Sequence, residues 1–164
     1  SKVVAGVAYS RDEAKMTLVS VADRPGIAAS IFTALSDGGV NVDMIVQNVS
    51  LQGVTDISFT VPNADLEMAR KVASDTAADI GAAGVDVDHN IAKVSLIGAG
   101  MKDELGIAGK MFRILAEHDV NIEMISTSPI RISCVVRGDD VTAAVRGLHD
   151  GFSLGQDEES ANNG

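Results

Sequence analysis

The feature that most constrains the fold of this chain is an internal repeat in which corresponding residues are 80 positions apart, so that Gly26 corresponds to Gly106. The residues that recur identically are Gly26, Ile27, Ala28, Phe32, Leu35, Val40, Asn41, Met44 and Ile45, at Gly106, Ile107, Ala108, Phe112, Leu115, Val120, Asn121, Met124 and Ile125. Upstream, 15–19 resembles 93–97, and downstream, 56–59 resembles 131–134. This period is too long for a solenoid repeat and indicates a small domain that occurs twice.

Both copies show the same order of sequence patterns. A β-branched run and a glycine-containing loop precede a helix with apolar residues three and four positions apart. These residues are Ile27, Ile31, Ala34 and Leu35 in copy one, and Ile107, Met111, Ile114 and Leu115 in copy two. Two strands follow, at 41–49 and 54–61 or at 121–127 and 130–136, and then a second helix, at 64–82 or 139–150. The order β-α-β-β-α is typical of the ferredoxin-like motif.

This motif needs a fourth strand, which the two copies obtain differently. Copy one has a candidate at 84–88, whereas 156–164 after copy two is so polar that it predicts a disordered tail. Outside a sheet, the apolar strand predicted at 3–9 would have unpaired backbone N–H and C=O groups, so we expect it to complete the sheet of copy two. The predicted fold is α+β, with two βαββαβ units whose antiparallel sheets carry helices on one face. Unit one, at 15–90, is inserted into unit two, at 1–14 plus 91–155.

Composition restricts the classes of function. The net charge of −10 disfavours nucleic acid and anionic membrane surfaces as partners, because both require clustered cations. No apolar stretch approaches the length of a membrane-spanning helix. Cys134, the single cysteine, lies in an apolar run and indicates a buried thiol in a reducing cytoplasm. Metal-ligand spacings, phosphate loops and nucleophile motifs are lacking, so we predict no metal, no cofactor and no catalytic residues.

Several longer segments resemble the regulatory part of aspartate kinase: 6–9, 23–28, 41–50, 55–60, 93–101, 121–128 and 131–133. The resemblance implies that both units are ACT domains and that the N-terminal strand joins the second. It implies that ATP-dependent phosphorylation of L-aspartate belongs to a catalytic domain absent from this chain. It further implies feedback inhibition by L-threonine and/or L-lysine, a homodimer through the ACT units, and a catalytic subunit or domain as partner. The family usually has an acidic residue at Pro129, so we expect a local difference in that hairpin.

The loop 23–28 carries groups suited to a free amino acid. Gly26 to Ala28 open a helix whose free N–H groups suit a carboxylate, while Asp23 suits an ammonium and Gln47 a polar side chain. The resemblance assigns Asp23, Gly26, Ala28 and Gln47 to threonine binding, with Asn121 and Ile122 facing them from the second unit of another chain. The candidate effector-binding residues are Asp23, Pro25, Gly26, Ile27, Ala28, Gln47, Asn121 and Ile122.

The same residues also have purely structural interpretations. Asp23 is a candidate helix N-cap and Pro25 suits a first helical turn. Asn41 and Asn121 suit turns with a left-handed backbone. Gln47 is harder to explain, because an amide in an otherwise apolar strand costs free energy unless it is paired.

Copy two predicts a pseudo-equivalent second site with Asn41, Val42, Gly106, Ile107, Ala108 and Thr127. Its loop is two residues longer and Thr127 replaces Gln47, which favours a site that has decayed into a packing role. The alternative function is a stand-alone ACT-type amino-acid sensor that regulates a different enzyme or a transcription factor. A small enzyme is disfavoured because the catalytic motifs are lacking.

Overall fold

The computed structural model describes residues 4–48, 52–101 and 103–154. Its strands are β1 (Val4–Ser10), β2 (Glu13–Ala22), β3 (Ile45–Gln47), β4 (Val54–Pro62), β5 (Gly84–Asp88), β6 (Ile91–Gly98), β7 (Met124–Ser128) and β8 (Arg131–Arg137). Its helices are α1 (Ile27–Asp37), α2 (Leu66–Ile80), α3 (Glu104–Glu117) and α4 (Val141–Gly151). The tail predicted at 156–164 and the first part of the hairpin connection, at 50–51, lie outside the described residues.

The chain forms two compact units. Asp12–His89 make up the inserted unit, and the described residues before Asp12 and after His89 make up the outer unit. Each unit has a four-stranded antiparallel sheet and two helices, in ferredoxin-like order. The predicted fold class, with the first unit inserted in the second, is confirmed.

The inserted unit has strand order β3-β4-β2-β5. Its core is aliphatic apart from Phe59, which is completely buried and meets the ring of Phe32 edge-on at 5.6 Å and 77°. Such an arrangement places the positive edge of one ring against the negative face of the other. The buried side chains of this core come from both helices, from β2 and β4, and from the segment after α1: Ala14, Met16, Leu18, Val21, Ile27, Ile31, Leu35, Val40, Ile57, Phe59, Val61, Leu66, Ala69, Ala73 and Ala77.

The outer unit has strand order β1-β6-β8-β7, so β1 takes the position that β5 holds in the inserted unit. β1 runs antiparallel to β6, with Val7 opposite Leu96 and Ser10 opposite Lys93. Without β1, the backbone groups of β6 on that side would have no partners within the sheet. The N-terminal segment therefore supplies the strand that copy two lacks.

Strand β3 is shorter than its sequence suggests, because the predicted strand 41–49 pairs regularly only over Ile45–Gln47. The N–H group of Met44 donates to the hydroxyl of Thr60 at 3.2 Å instead of to a ladder carbonyl. The N–H group of Asn41 donates to the carboxylate of Asp65. Helices α2 and α4 begin two residues later than predicted, because single 3-10 turns at Asn63–Asp65 and Gly138–Asp140 precede them.

Pro129 lies in the turn of the β7–β8 hairpin rather than in a strand, so the ladder loses no donor. The hydroxyl of Ser128 accepts from the N–H group of Arg131 at 3.1 Å and closes the turn. The carbonyl of Pro129 accepts from the N–H group of Met101 at 2.7 Å. The turn is thereby fixed to the loop that precedes α3.

The thiol of Cys134 is buried and unpaired in the core of the outer unit, as predicted. Burial raises the pKa of this thiol from 9.0 to about 12, because the thiolate would be desolvated. The unfolded chain therefore loses this proton at lower pH than the folded chain. The stabilisation is complete below about pH 9 and falls as the pH rises towards 12.

We expect Cys134 to resist a thiol reagent at neutral pH until denaturant opens the outer unit, since only the thiolate reacts. When the pH is raised from about 8 to about 10.5, we also expect the urea midpoint of the wild type to decrease by more than that of Cys134→Ala. Urea titrations of both proteins at the two pH values measure this difference. Equal falls would show that the thiol makes no contribution.

Candidate functional site

Helix α1 begins without a side-chain cap. Its N-cap is Gly26, which has a left-handed backbone with φ 92°, and no side chain of the described residues accepts from the first turn. Glycine populates this conformation at no steric cost, and no atom of residues 4–48, 52–101 and 103–154 lies within 4 Å of where a Cβ would be. The first-turn N–H groups after that of Ile27, which has a long hydrogen bond to the carbonyl of Arg24, are therefore open to an acceptor from outside the helix, and the helix dipole favours an anionic one.

Asp23 and Pro25 precede this helix start and are exposed. The interpretation of Asp23 as N-cap is wrong, because Gly26 holds that position. The N–H group of Asp23 donates to the carbonyl of Gly53 at 2.9 Å, while its carboxylate has no hydrogen-bond or ion-pair partner among the described residues. Pro25 lies in the turn before the helix, not in its first turn.

Ile27 and Ala28 form the first turn of α1 and differ in exposure. The side chain of Ile27 is only 6% exposed and belongs to the core of the inserted unit, so it offers a ligand only its backbone. Its N–H group faces the carbonyl of Arg24 at 3.4 Å, a long hydrogen bond. Ala28 is exposed, and its small side chain leaves the helix start accessible.

Gln47 ends β3 opposite Ile57 of β4, and its side chain is exposed. The free-energy cost expected for an unpaired amide at Gln47 therefore does not arise, because water can satisfy this exposed side chain. β4 also pairs Val54 with Ala22, immediately before Asp23. Gln47 and the loop 23–28 consequently lie at the same end of the sheet, because Ile57 and Val54 are three residue steps apart along β4, or about 10 Å.

Asn121 and Ile122 belong to the outer unit, in the segment between α3 and β7. Asn121 is exposed, whereas Ile122 is half-buried against the core of its own unit. Neither Asn121 nor Asn41 has a left-handed backbone, which among the described non-glycine residues occurs at Ser20, Asp119 and Ser153. The left-handed interpretation of the two asparagines is therefore wrong.

The start of α3 differs from that of α1 although the sequences repeat. α3 begins at Glu104, so Gly106 lies within the helix rather than at its N-cap. The carboxylate of Asp103 caps this helix and accepts from the N–H group of Gly106 at 3.1 Å. A Cβ at Gly106 would clash with the carboxylate of Asp103, whereas the Cβ position of Gly26 has no close neighbour among the described residues.

The other residues of the predicted second site are spread over both units. Asn41 donates from its backbone and its amide to the carboxylate of Asp65, at 3.0 and 3.2 Å. Val42 packs against the core of the inserted unit, and Ala108 is buried in the outer unit. Ile107 is half-buried and Thr127 is exposed.

Sequence reasoning missed the two carboxylates that organise these segments. Asp103 precedes Gly106 by three residues, the spacing at which an N-cap side chain reaches a helical N–H group, so this signal was present. Asp65 holds Asn41 from 24 positions away, a contact that no local pattern predicts. Among the described residues, no three His, Cys, Asp or Glu side chains are grouped to hold a metal ion, and no helix has the length and apolar character to cross a membrane.

The family model for the ACT domain matches residues 17–76 and 94–152. The first match lies in the inserted unit and the second in the outer unit. The chain belongs to the ACT-domain family.

The relatives narrow the identification. An aspartokinase from Pseudomonas aeruginosa is 46% identical over 152 residues, which cover 93% of this chain and 37% of the relative. The regulatory subunit of aspartate kinase from Thermus thermophilus, in a ligand-free form, is 38% identical with a TM-score of 0.87, covering 92% of this chain and 99% of that one. A structure of aspartokinase alpha and beta subunits is 42% identical with a TM-score of 0.85 over 92% and 99%.

The chain spans little more than a third of the length of the curated relative it matches, but nearly all of the regulatory subunit. Its sequence and fold are those of the regulatory ACT region of aspartokinase.

Proposed function

We propose that this chain binds an amino-acid effector, L-threonine and/or L-lysine, and transmits feedback inhibition to the kinase activity of aspartokinase. The observation that carries the proposal is the uncapped start of α1 at a left-handed glycine. Open N–H groups and the positive end of the helix dipole suit the α-carboxylate of an amino acid. The exposed Asp23 suits its ammonium group.

We assign recognition of the effector's side chain to Gln47 and to residues of a second copy of the chain. Gln47 lies at the same end of the sheet as the loop 23–28, and its amide can pair with a hydroxyl or an ammonium. Asn121 and Ile122 of the second copy are proposed to cover the effector. The exposed Ile45 and Ile125, on the edge strands β3 and β7, support a homodimer through these edges.

One effector site per chain, in the inserted unit, is part of the proposal. The start of α3 is already occupied by the carboxylate of Asp103, which makes the contact that an effector carboxylate would make. Gly106, Ile107 and Thr127 are therefore assigned a structural role. The catalytic partner is proposed to be an aspartokinase catalytic subunit or domain, because a related structure contains alpha and beta subunits together. A cytoplasmic location is supported by the unpaired thiol of Cys134.

Calorimetric titration of Gln47→Ala tests the proposal. With L-threonine or L-lysine as titrant, we expect the variant to bind about tenfold more weakly than the wild type, because one hydrogen bond to a polar effector is lost. Thr127→Ala is the matched control, since Thr127 is the exposed equivalent residue in copy two. Equal affinities for wild type and Gln47→Ala would remove Gln47 from the site.

A thermal-shift screen of the common amino acids identifies the effector, because a ligand that binds only the folded state raises its melting temperature. If neither threonine nor lysine stabilises the chain, the proposal fails. The alternative, a sensor that regulates another enzyme or a transcription factor, predicts that the chain does not co-purify with a catalytic aspartokinase subunit.

A further inference from the structure

The outer unit has a cavity of about 200 Å³ between the end of β1 and the first two turns of α4. It is lined by Tyr9, Arg11, Val141, Thr142, Val145 and Arg146. All of these residues belong to the outer unit, whereas the proposed effector loop belongs to the inserted unit. β1 and β7 are the two opposite edge strands of the sheet, so the cavity beside β1 is also separate from the β7 edge proposed to pair in the homodimer.

Arg11 and Arg146 bring positive charge to this cavity although the chain has a net charge of −10. Lys93 and Arg131 line a second cavity, of about 130 Å³, on the opposite face of the sheet. The acidic residues of the turn before α4, Asp139 and Asp140, do not line either cavity.

The two guanidinium groups at the larger cavity retain free donors. Nη1 of Arg11 donates to the carbonyl of Gly138 at 3.3 Å, which orients the guanidinium and leaves its other N–H groups available. Arg146 is exposed on α4, and among the described residues neither arginine has an ion-pair partner. Guanidinium forks match the oxygens of carboxylates and phosphates.

The rest of the lining is mainly apolar. Val141 is buried and Val145 half-buried, while the ring of Tyr9 is 59% exposed and forms a flat wall. The volume is below the roughly 300–1,000 Å³ of pockets that hold drug-sized ligands, and therefore suits a smaller molecule. We propose that this cavity binds a small organic anion, with a carboxylate or phosphate held by Arg11 and Arg146 and a short apolar body against Tyr9 and Val145.

Tyrosine fluorescence tests this proposal directly, because the chain has one tyrosine, Tyr9, and no tryptophan. Titration with n-butyl phosphate is expected to give a saturable change in the millimolar range or tighter, and n-butanol none. Arg146→Gln is expected to weaken binding about tenfold, because a charge-assisted hydrogen bond is lost. Arg113→Gln, an exposed arginine of α3 outside the cavity, is the matched control and should bind as the wild type does.

Three further measurements keep the proposal falsifiable. Arg11→Gln should weaken binding as Arg146→Gln does, and affinity unchanged in both variants would overturn the site. Titration with n-butyrate shows whether the cavity binds a carboxylate as well as a phosphate. Titration with inorganic phosphate tests the apolar contact, which would be overturned if inorganic phosphate bound as tightly as n-butyl phosphate. If the tyrosine fluorescence changed linearly with the concentration of n-butyl phosphate and of n-butyrate, without saturation, the proposal would be overturned. This outcome does not depend on the effector titrations.

Discussion

Gly26→Ala is expected to weaken binding of the amino-acid effector at least about a hundredfold, the loss expected when two charge-assisted hydrogen bonds cannot form. A Cβ at this exposed N-cap would keep the effector carboxylate away from the N–H groups of α1. The backbone strain alone should reduce the free energy of unfolding by about 1–2 kcal/mol, because Gly26 has a positive φ. Calorimetry with threonine or lysine, together with urea unfolding, measures the two effects.

Gly39→Ala is the matched control for this prediction. Gly39 also has a positive φ, of 76°, and nothing lies within 4 Å of its Cβ position, but it follows the other end of α1. We expect a similar loss of stability and an unchanged affinity for the effector. A similar loss of affinity in both variants would attribute the effect of Gly26→Ala to strain and contradict the proposed contact.

Phe59→Ala is expected to lower the free energy of unfolding of the inserted unit by about 3–5 kcal/mol, the usual cost of removing a buried phenylalanine. Its ring is completely buried and loses the edge-on contact with Phe32. The repeat places Cys134 at the equivalent position of the outer unit, where Cys134→Ala removes only a sulfur atom and should cost much less. Hydrogen exchange of amides in β4 and β8 reports on each unit separately.

A decrease in the free energy of unfolding of less than about 1.5 kcal/mol in Phe59→Ala would contradict this prediction. Volume-conserving exchanges in protein cores cost about this much. Such a result would mean that the core around Phe32 collapses into the space the ring leaves. Phe32→Leu, which keeps an apolar side chain at a half-buried position, should cost less than Phe59→Ala.

The sequence was most informative about the fold where local pattern and repeat agree. The alternation in 84–88 predicts β5 with its observed bounds, and the spacing of Ile27, Ile31 and Leu35 predicts the buried face of α1. The orphan apolar segment at the N-terminus predicts β1 in the outer sheet because the second copy lacks a strand. The length of β3 was overestimated, because a side chain distant in sequence, Thr60, intercepts the N–H group of Met44.

The candidate site could be predicted only in part. The motif at Gly26 indicates a helix start, but the repeat wrongly suggests that Gly106 starts a helix in the same way. The difference depends on Asp103, whose carboxylate moves the beginning of α3 to Glu104. The exposure of Gln47 is also not predictable from the sequence, because it depends on the position of β3 at the edge of the sheet. The roles of the candidate effector residues stay predictions until an effector is titrated.

The insertion of one unit into the other also affects the chain entropy of folding. β1 and β6 form an antiparallel pair whose connection is residues 11–90, and closing so long a flexible loop is entropically unfavourable. Once the inserted unit has folded, Lys15 lies opposite Asp88, so the two ends of this connection are already adjacent. Folding of the inserted unit then shortens the effective loop to a few residues and favours closure of the β1–β6 pair by about 2–3 kcal/mol.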